Sequence, residues 1–183
     1  MKKILIALGL ALLAFFIFLA YSGLLTSVKI TEKEIGPYYL VYQKHTGDYK
    51  NMGKVQMNVY NIIIKNTKVK PKIGFGIYYD NPEKTAKDKL QSEGGCIVSK
   101  KEADAIKKAK TKLLFKTFEK TKCVTAEFPL KNKYSIIFGI MKAYPKINKY
   151  KKVKKYKESY ALEIYDVPNK KLTFAFPVIT EKK

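Results

Sequence analysis

The longest apolar segment of the chain lies at its start. Ile4 to Leu25 contains no charged residue, and only Tyr21, Ser22 and Gly23 interrupt its apolar side chains. As a helix this segment would span about 33 Å at about 1.5 Å per residue, which matches the hydrocarbon thickness of a bilayer. The pattern therefore predicts a membrane-spanning segment at residues 1–25, followed by a juxtamembrane linker at residues 26–36.

A cleavable signal sequence is the alternative for this segment, because Ala20-Tyr21-Ser22 resembles a signal-peptidase site. Signal sequences usually have a shorter apolar region of about 7 to 15 residues, so the length favours an uncleaved anchor. Lys2 and Lys3 precede the segment, and the positive-inside rule then places the N-terminus in the cytoplasm. We expect a single-pass protein of the cell membrane with an exocytoplasmic domain.

Beyond the linker, short apolar runs with period-two alternation predict strands, and two longer stretches with helical spacing predict helices. The helices open at Tyr49 and Tyr134, after which apolar residues recur three and four positions apart. The predicted strands are residues 38–43, 73–79, 95–99, 123–128, 160–165 and 172–178. Lysine-rich residues 100–120 are predicted to form a connecting helix, while Pro71, Pro145 and Pro168 are expected to punctuate the elements.

These elements form a duplicated unit. Tyr79-Asp80-Asn81-Pro82 recurs as Tyr165-Asp166-Val167-Pro168, 86 positions later. Each half reads strand, helix, strand, strand, which gives repeats at about residues 37–99 and 121–180 of one domain. Neither unit can cover its apolar faces alone. We therefore predict an α+β fold in which two βαββ repeats form a curved antiparallel sheet, with two long helices on one face and a groove on the other.

One carboxylate breaks the symmetry of the repeat. Alternation places Glu163 and Tyr165 on the same face of their strand. The repeat aligns Glu163 with Ile77 and Tyr165 with Tyr79, so the glutamate occurs in one half only. This asymmetry suggests a function. Because burial of an unpartnered carboxylate is costly, the alternative is that a neighbouring lysine or hydroxyl satisfies Glu163.

The net charge of the chain narrows the classes of partner that it is expected to bind. The chain carries 37 Lys and Arg residues against 15 Asp and Glu residues, a net charge of +22, and all of these cations are lysines. Bidentate recognition of guanine or phosphate is guanidinium chemistry, so the lack of arginine disfavours sequence-specific nucleic-acid binding. The charge is typical of a solvated surface beside an anionic membrane, and a proteome-wide lysine bias would give the same composition.

The sequence shows no motif for catalysis or for a cofactor. It contains no nucleophile elbow, glycine-rich phosphate loop or paired-carboxylate signature. His45 is the sole histidine and lacks a cysteine or acid cluster at ligand spacing, so neither a metal nor another cofactor is expected. Cys96 and Cys123 fall on predicted strands of different halves, which leaves both a disulfide and two free buried thiols open. Binding rather than catalysis is the prediction.

Three short motifs are informative in combination. Residues 45–49 read His-Thr-Gly-Asp-Tyr, residues 76–82 read Gly-Ile-Tyr-Tyr-Asp-Asn-Pro, and residues 162–165 read Leu-Glu-Ile-Tyr. Together they resemble the GyrI-like domain family, also called the bacterial transcription-activator effector-binding domain. The resemblance covers most of residues 28–180. The DNA-binding segment of the transcription activators has no counterpart here, so the resemblance does not imply transcriptional activation.

The resemblance implies a groove that binds a small amphipathic, often cationic molecule, with Glu163 as the charged anchor. We expect Tyr165, Tyr79 and Tyr38 to contribute to this ligand site, because tyrosine rings supply faces that attract cations. The expected partners are this small molecule and, through the N-terminal helix, the membrane. Two alternatives remain open: hydrolysis of strained electrophilic toxins with Glu163 as the general base, and a lysine-rich interaction module at the membrane surface.

Overall fold

The computed structural model describes residues 1–180, which contain four α-helices and eight strands. The helices are α1 (Lys2–Ser22), α2 (Met52–Asn66), α3 (Lys100–Lys108) and α4 (Lys133–Val153). The strands are β1 (Ile30–Ile35), β2 (Tyr38–Thr46), β3 (Ile73–Tyr78), β4 (Gln91–Val98), β5 (Leu114–Phe118), β6 (Thr121–Pro129), β7 (Ala161–Asp166) and β8 (Lys171–Pro177).

All eight strands form one antiparallel sheet that curls into a half-barrel, in the order β1-β6-β8-β7-β3-β4-β2-β5. β3 and β7 lie side by side at its centre. Outward from them, β8, β6 and β1 follow on one side, and β4, β2 and β5 follow in equivalent positions on the other. α2 packs on β2 and β4, and α4 packs on β6 and β8, on the same face of the sheet. The predicted α+β fold and the position of both long helices are confirmed.

Each half contains one more strand than predicted. β1 lies in the predicted linker, and β5 lies in the segment predicted as a helix, of which only the first part forms α3. Each of these strands pairs with the other half, β1 with β6 and β5 with β2. Edge strands commonly carry charged side chains, which hide the apolar alternation. In β1, Lys33 and Glu34 form ion pairs with Glu127 and Lys120, respectively.

Pro145 lies inside α4 rather than between elements, so that part of the prediction is wrong. Proline has no backbone N–H, and α4 therefore lacks the hydrogen bond that residue 145 would otherwise donate to the carbonyl of Met141. Ala143 and Ile147, on either side of the proline, are completely buried against the sheet. This packing keeps the helix continuous although one of its hydrogen bonds is missing.

Apolar side chains fill both faces of the sheet. Under the helices the core includes Phe128, and a second cluster around Phe75 fills the face without helices, which we call the open face. Cys96 lies under α2, whereas Cys123 lies on the open face. Both thiols are free and buried. Of the two alternatives for the cysteines, the structure therefore shows the free thiols.

Helix α1 is long and apolar enough to cross a bilayer, although a signal sequence has the same length and composition. Its end is docked on the domain. Ser22 is buried, and its hydroxyl accepts a hydrogen bond of 2.9 Å from the side-chain amide of Asn132. Gly23 ends the helix with φ of 112°, and a Cβ there would lie 2.5 Å from the ring of Phe128. The domain therefore holds the end of α1 in a defined position.

Candidate functional site

Glu163 lies on β7, on the face of the sheet that α4 covers, and is only 2% exposed. Its carboxylate accepts hydrogen bonds from the hydroxyl of Tyr144 on α4, at 2.6 Å, and from that of Tyr165 on its own strand, at 2.5 Å. Within residues 1–180, Glu163 takes part in no ion pair. The carboxyl group is thus buried against hydroxyl groups alone.

The hydroxyl network extends beyond Tyr165. The hydroxyls of Tyr165 and Tyr78 lie 3.1 Å apart, and the ring of Tyr49 packs edge-on against that of Tyr78 with ring centroids 4.9 Å apart. The hydroxyl of Tyr49 is bonded to the backbone of the β3–β4 connection. We call Tyr49, Tyr78, Tyr144 and Tyr165 the tyrosine cluster. Tyr144 and Tyr165 contact the carboxylate directly, and Tyr78 and Tyr49 extend the cluster away from it.

Burial governs the protonation of this site. It raises the pKa of the Glu163 carboxyl above its ordinary value, and the hydrogen bonds from Tyr144 and Tyr165 oppose that rise. Burial, together with the neighbouring carboxylate, also raises the pKa of Tyr78, Tyr144 and Tyr165. The hydroxyls therefore remain neutral, and the carboxyl of Glu163 holds its proton to a higher pH than an exposed glutamate does.

Gly76 explains how the tyrosine rings fit around the carboxylate. It lies directly opposite Glu163 in the register of β3 and β7. A Cβ at Gly76 would lie 2.8 Å from the ring of Tyr78, which folds back over the glycine. Matching Tyr78 with Tyr165 across the two halves also makes Gly76 the counterpart of Glu163. The local twofold axis of the sheet therefore passes between Gly76 and Glu163.

The alignment of the halves that the sequence predicted is wrong by one residue. It matched Glu163 with Ile77 and Tyr165 with Tyr79, but Ile77 belongs to the cluster on the open face. Because side chains alternate along a strand, a shift of one residue moves each of them to the other face of the sheet. Tyr78, rather than Tyr79, is the counterpart of Tyr165.

The structure separates the four residues predicted to form the ligand site. Glu163 and Tyr165 lie together under the helices. Tyr79 and Tyr38 lie on the open face, where Tyr38 stacks on Phe118 with ring centroids 6.3 Å apart. The predicted set is therefore divided between the two faces of the sheet.

Tyr79 borders a recess of about 290 Å³ on the open face. Lys116 lies in this recess, where its amine forms an ion pair with Glu93 and lies 5.0 Å from the centre of the Tyr42 ring. The same amine donates a hydrogen bond of 3.2 Å to the hydroxyl of Tyr79. Glu93 is thus balanced by a cation of the protein itself, whereas Glu163 is not.

Tyr144, Tyr78 and Tyr49 complete the site and were not among its predicted residues. Tyr144 was visible as a member of the apolar face of its helix, and Tyr49 as the end of the His-x-Gly-x-Tyr motif. Neither pattern specifies which group of another element the tyrosine hydroxyl contacts. Residues 1–180 contain no group of three or more His, Cys, Asp and Glu side chains placed to hold a metal ion.

Comparisons with known proteins bear on the fold. No protein-family model matches the sequence, and no curated protein matches it. Among solved structures, the EcmrR C-terminal domain is 12% identical with a TM-score of 0.57, over 84% of this chain and 99% of that one.

Two further solved structures are similar. SAV2435 bound to tetraphenylphosphonium is 12% identical with a TM-score of 0.55, over 82% of this chain and 93% of that one. A hydrolase from Listeria innocua is 11% identical with a TM-score of 0.54, over 82% of this chain and 91% of that one. These likenesses support the GyrI-like fold that the motifs indicated, and at such identities they concern the fold alone.

Proposed function

We propose that this chain is a membrane-anchored GyrI-like domain that binds a small amphipathic molecule, with Glu163 as the anchor for a cationic end. The observation that carries the proposal is a carboxylate that is 2% exposed and balanced only by hydroxyl groups. Burying a charge without an ionic partner is costly, so proteins seldom retain one where no function requires it. A ligand cation would supply the missing partner.

The surroundings of Glu163 suit an organic cation better than a metal ion. In a site that excludes water, a single carboxylate attracts a cation far more strongly than it would in bulk solvent. The rings of Tyr78, Tyr144 and Tyr165 can each add about 0.5 to 2 kcal/mol by facing the cation. Phe174 and Phe176, which pack edge-on against Tyr144, extend the aromatic surroundings under α4. An amphipathic ligand would find both its charged and its apolar part accommodated.

Access to Glu163 requires a movement of α4, because Tyr144 covers the carboxylate from that helix. Pro145 follows Tyr144 directly, and the hydrogen bond missing at the proline weakens this turn of the helix. Displacement of Tyr144 would exchange its hydrogen bond for the ligand cation. The turn at residues 141–145 is therefore the proposed entrance.

A solved relative of the fold supports the choice of ligand class. SAV2435 was solved bound to tetraphenylphosphonium, a lipophilic cation, and shares this fold over 82% of the present chain. We extend that ligand class to this chain because Glu163 offers a matching negative charge under an aromatic cover. In our proposal α1 is an uncleaved anchor, and the domain receives its ligand on the outer side of the cell membrane.

The test is a thermal-shift and calorimetric titration of the full chain in detergent micelles, with tetraphenylphosphonium as the probe and neutral triphenylphosphine oxide as its control. We compare the unchanged protein with Glu163→Gln and with Glu93→Gln, which removes the buried carboxylate of the open face. Glu163→Gln should weaken binding of the cation at least about tenfold, which is about 1.4 kcal/mol. Glu93→Gln should leave it unchanged. Equal binding by Glu163→Gln and the unchanged protein would refute the anchor role.

A hydrolase is the second candidate, and the raised pKa of the Glu163 carboxyl favours it, because a general base works best with a pKa near the working pH. Glu163 would then activate water for attack on a strained electrophile, such as a cyclopropane-bearing toxin. Product that accumulates over many turnovers with the unchanged protein and not with Glu163→Gln would favour the hydrolase. Stoichiometric binding without product would favour the receptor.

A further inference from the structure

The outward side of the first half of α4 is apolar where a solvent-facing helix is normally polar. Tyr134, Ile137 and Met141 are 39%, 53% and 65% exposed. Their spacing of three and four residues places them on one face of the helix, away from the buried side marked by Gly139 and Ala143. We call Tyr134, Ile137 and Met141 the outer stripe of α4.

The outer stripe starts beside the end of the apolar helix α1. The rings of Phe18 and Tyr134 pack edge-on with centroids 5.4 Å apart. Phe18 lies four residues, or about 6 Å, before the end of α1, so Tyr134 is level with the last turn of the apolar helix. If α1 spans the bilayer, the beginning of α4 therefore lies at the height of the lipid headgroups.

The chain that follows α1 remains attached to α4. The amine of Lys142 donates hydrogen bonds to the backbone carbonyls of Leu24 and Thr26, the latter at 2.8 Å. One turn further along α4, Lys146 donates to the carbonyl of Val28 at 3.0 Å. These contacts prevent α4 from turning freely about the end of α1. The outer stripe consequently has a fixed position relative to the apolar helix.

The charge around the outer stripe fits a membrane surface. Residues 128–157 contain no Asp or Glu, and exposed lysines on both sides of the stripe include Lys131, Lys133 and Lys149. Helices that lie in the interface combine an apolar face with flanking lysines, and tyrosine is favoured at headgroup depth. Lysines near an anionic surface are attracted to it, and the attraction decays within a Debye length.

We propose that the outer stripe of α4 lies in the headgroup region of an anionic bilayer, the same bilayer that α1 spans. The inference rests on the anchoring part of the proposed function. It gives the domain a defined orientation, with the first half of α4 against the lipid. α4 then has three partners at once: the lipid, the end of α1 and, through Tyr144, the buried carboxylate Glu163.

The absence of tryptophan from this sequence allows a direct test. Met141→Trp places a single fluorophore on the outer stripe. Met57→Trp places one at the corresponding position of α2. Met57 lies two residues before the completely buried Val59, just as Met141 lies two residues before the completely buried Ala143. Met57 is 57% exposed, close to the value for Met141. Leu12→Trp, in the middle of α1, reports whether that helix is inserted.

Each full-length variant is reconstituted into vesicles of phosphatidylglycerol and brominated phosphatidylcholine, with unbrominated vesicles as the reference. The fractional loss of emission of Met141→Trp should be at least about twofold larger than that of Met57→Trp, because the bromine atoms quench only what enters the bilayer. Aqueous iodide should quench Met57→Trp and spare Met141→Trp.

Two results would overturn the proposal. Equal quenching of Met141→Trp and Met57→Trp by iodide would show that the outer stripe faces water. Protection of Met141→Trp from both iodide and bromine would show that protein, such as a second copy of the chain, covers it. Leu12→Trp distinguishes a failure of the proposed membrane anchor from a failure of the proposed orientation of α4. If the lipid does not quench it, the anchoring proposal fails; if the lipid quenches it and not Met141→Trp, only the orientation proposed here fails.

Discussion

Glu163 and Glu93 are the two buried glutamates of the sheet, one on each face. Lys116 balances the charge of Glu93, whereas hydroxyl dipoles alone face that of Glu163. Removing a carboxylate from water disfavours its charged form, and hydroxyl donors compensate this only in part. Glu163 therefore lowers the stability of the folded protein wherever it is ionised, and a ligand that supplies a cation would restore that stability.

This charge should be visible in the pH dependence of folding. Relative to Glu163→Gln, the free energy of unfolding of the unchanged protein should fall as the pH rises from 4.5, the ordinary pKa, through the raised pKa of the folded state. Between these two values the native state retains a proton that the unfolded chain has released, so stability decreases with rising pH.

The measurement is denaturant unfolding of the full chain in micelles between about pH 4 and pH 8, followed by circular dichroism. Glu93→Gln serves as the control for removal of a buried carboxylate that has an ionic partner. If the free energies of unfolding of Glu163→Gln and the unchanged protein differ by a constant amount over this range, Glu163 has the same pKa in the folded and unfolded states, which would contradict the prediction.

Among the elements, β4 lies tightly against the backbone of β2 at Gly95. A Cβ at this position would lie 2.0 Å from the carbonyl oxygen of Val41 and 2.8 Å from the Cα of Tyr42. Both atoms belong to the backbone of the neighbouring strand, which a larger residue cannot displace without breaking the pairing of the strands. The pairing of these two strands therefore depends on the lack of a side chain at Gly95.

Gly95→Ala should destabilise the protein by about 3 kcal/mol or more, because the clash involves backbone atoms. Gly53→Ala is the matched control, since a Cβ on Gly53 in the first turn of α2 meets nothing within 4 Å. That change should be neutral or stabilising by up to about 1 kcal/mol. Thermal unfolding of both variants provides the comparison, and equal melting temperatures would contradict this view of the β2–β4 contact.

Strong apolar alternation made the inner strands predictable, and weak alternation concealed the outer ones. The predicted alignment of the two halves was wrong by one residue for a different reason. The motif Tyr-Asp-x-Pro follows β3, which ends at Tyr78, but its second copy starts inside β7, which ends at Asp166. The two copies therefore mark different positions of equivalent strands. The asymmetry of the repeat was sufficient to single out Glu163 as a carboxylate without a counterpart in the other half. The position of Tyr144 depends on how α4 is rotated over the sheet, and the sequence pattern does not specify that rotation.

For the molecule as a whole, the arrangement of α1 leads to a prediction about processing and topology. α1 should remain attached to the domain, because it is long enough to span and its end is docked through Ser22. Lys2 and Lys3 at its start favour a cytoplasmic N-terminus. We expect the full-length chain to resist alkaline extraction from membranes and its domain to be digested by protease added to spheroplasts.

Each departure from this result has a distinct meaning. Recovery of a shortened, extractable chain would show that the segment is a cleaved signal sequence. Protection of the domain from external protease, with digestion after lysis, would show the opposite orientation.

The position of the local twofold axis between Gly76 and Glu163 bears on why a duplicated chain suits this site. In a homodimer of two identical half-sized units, the residue at the axis would occur twice, and two buried carboxylates would face each other across neighbouring strands. Their repulsion would force one of them to hold a proton. Covalent fusion of the units frees the two positions to diverge. Here one position holds a glutamate and the other a glycine, so a single positive charge would neutralise the centre of the molecule, and the missing second side chain leaves the room that the ring of Tyr78 fills.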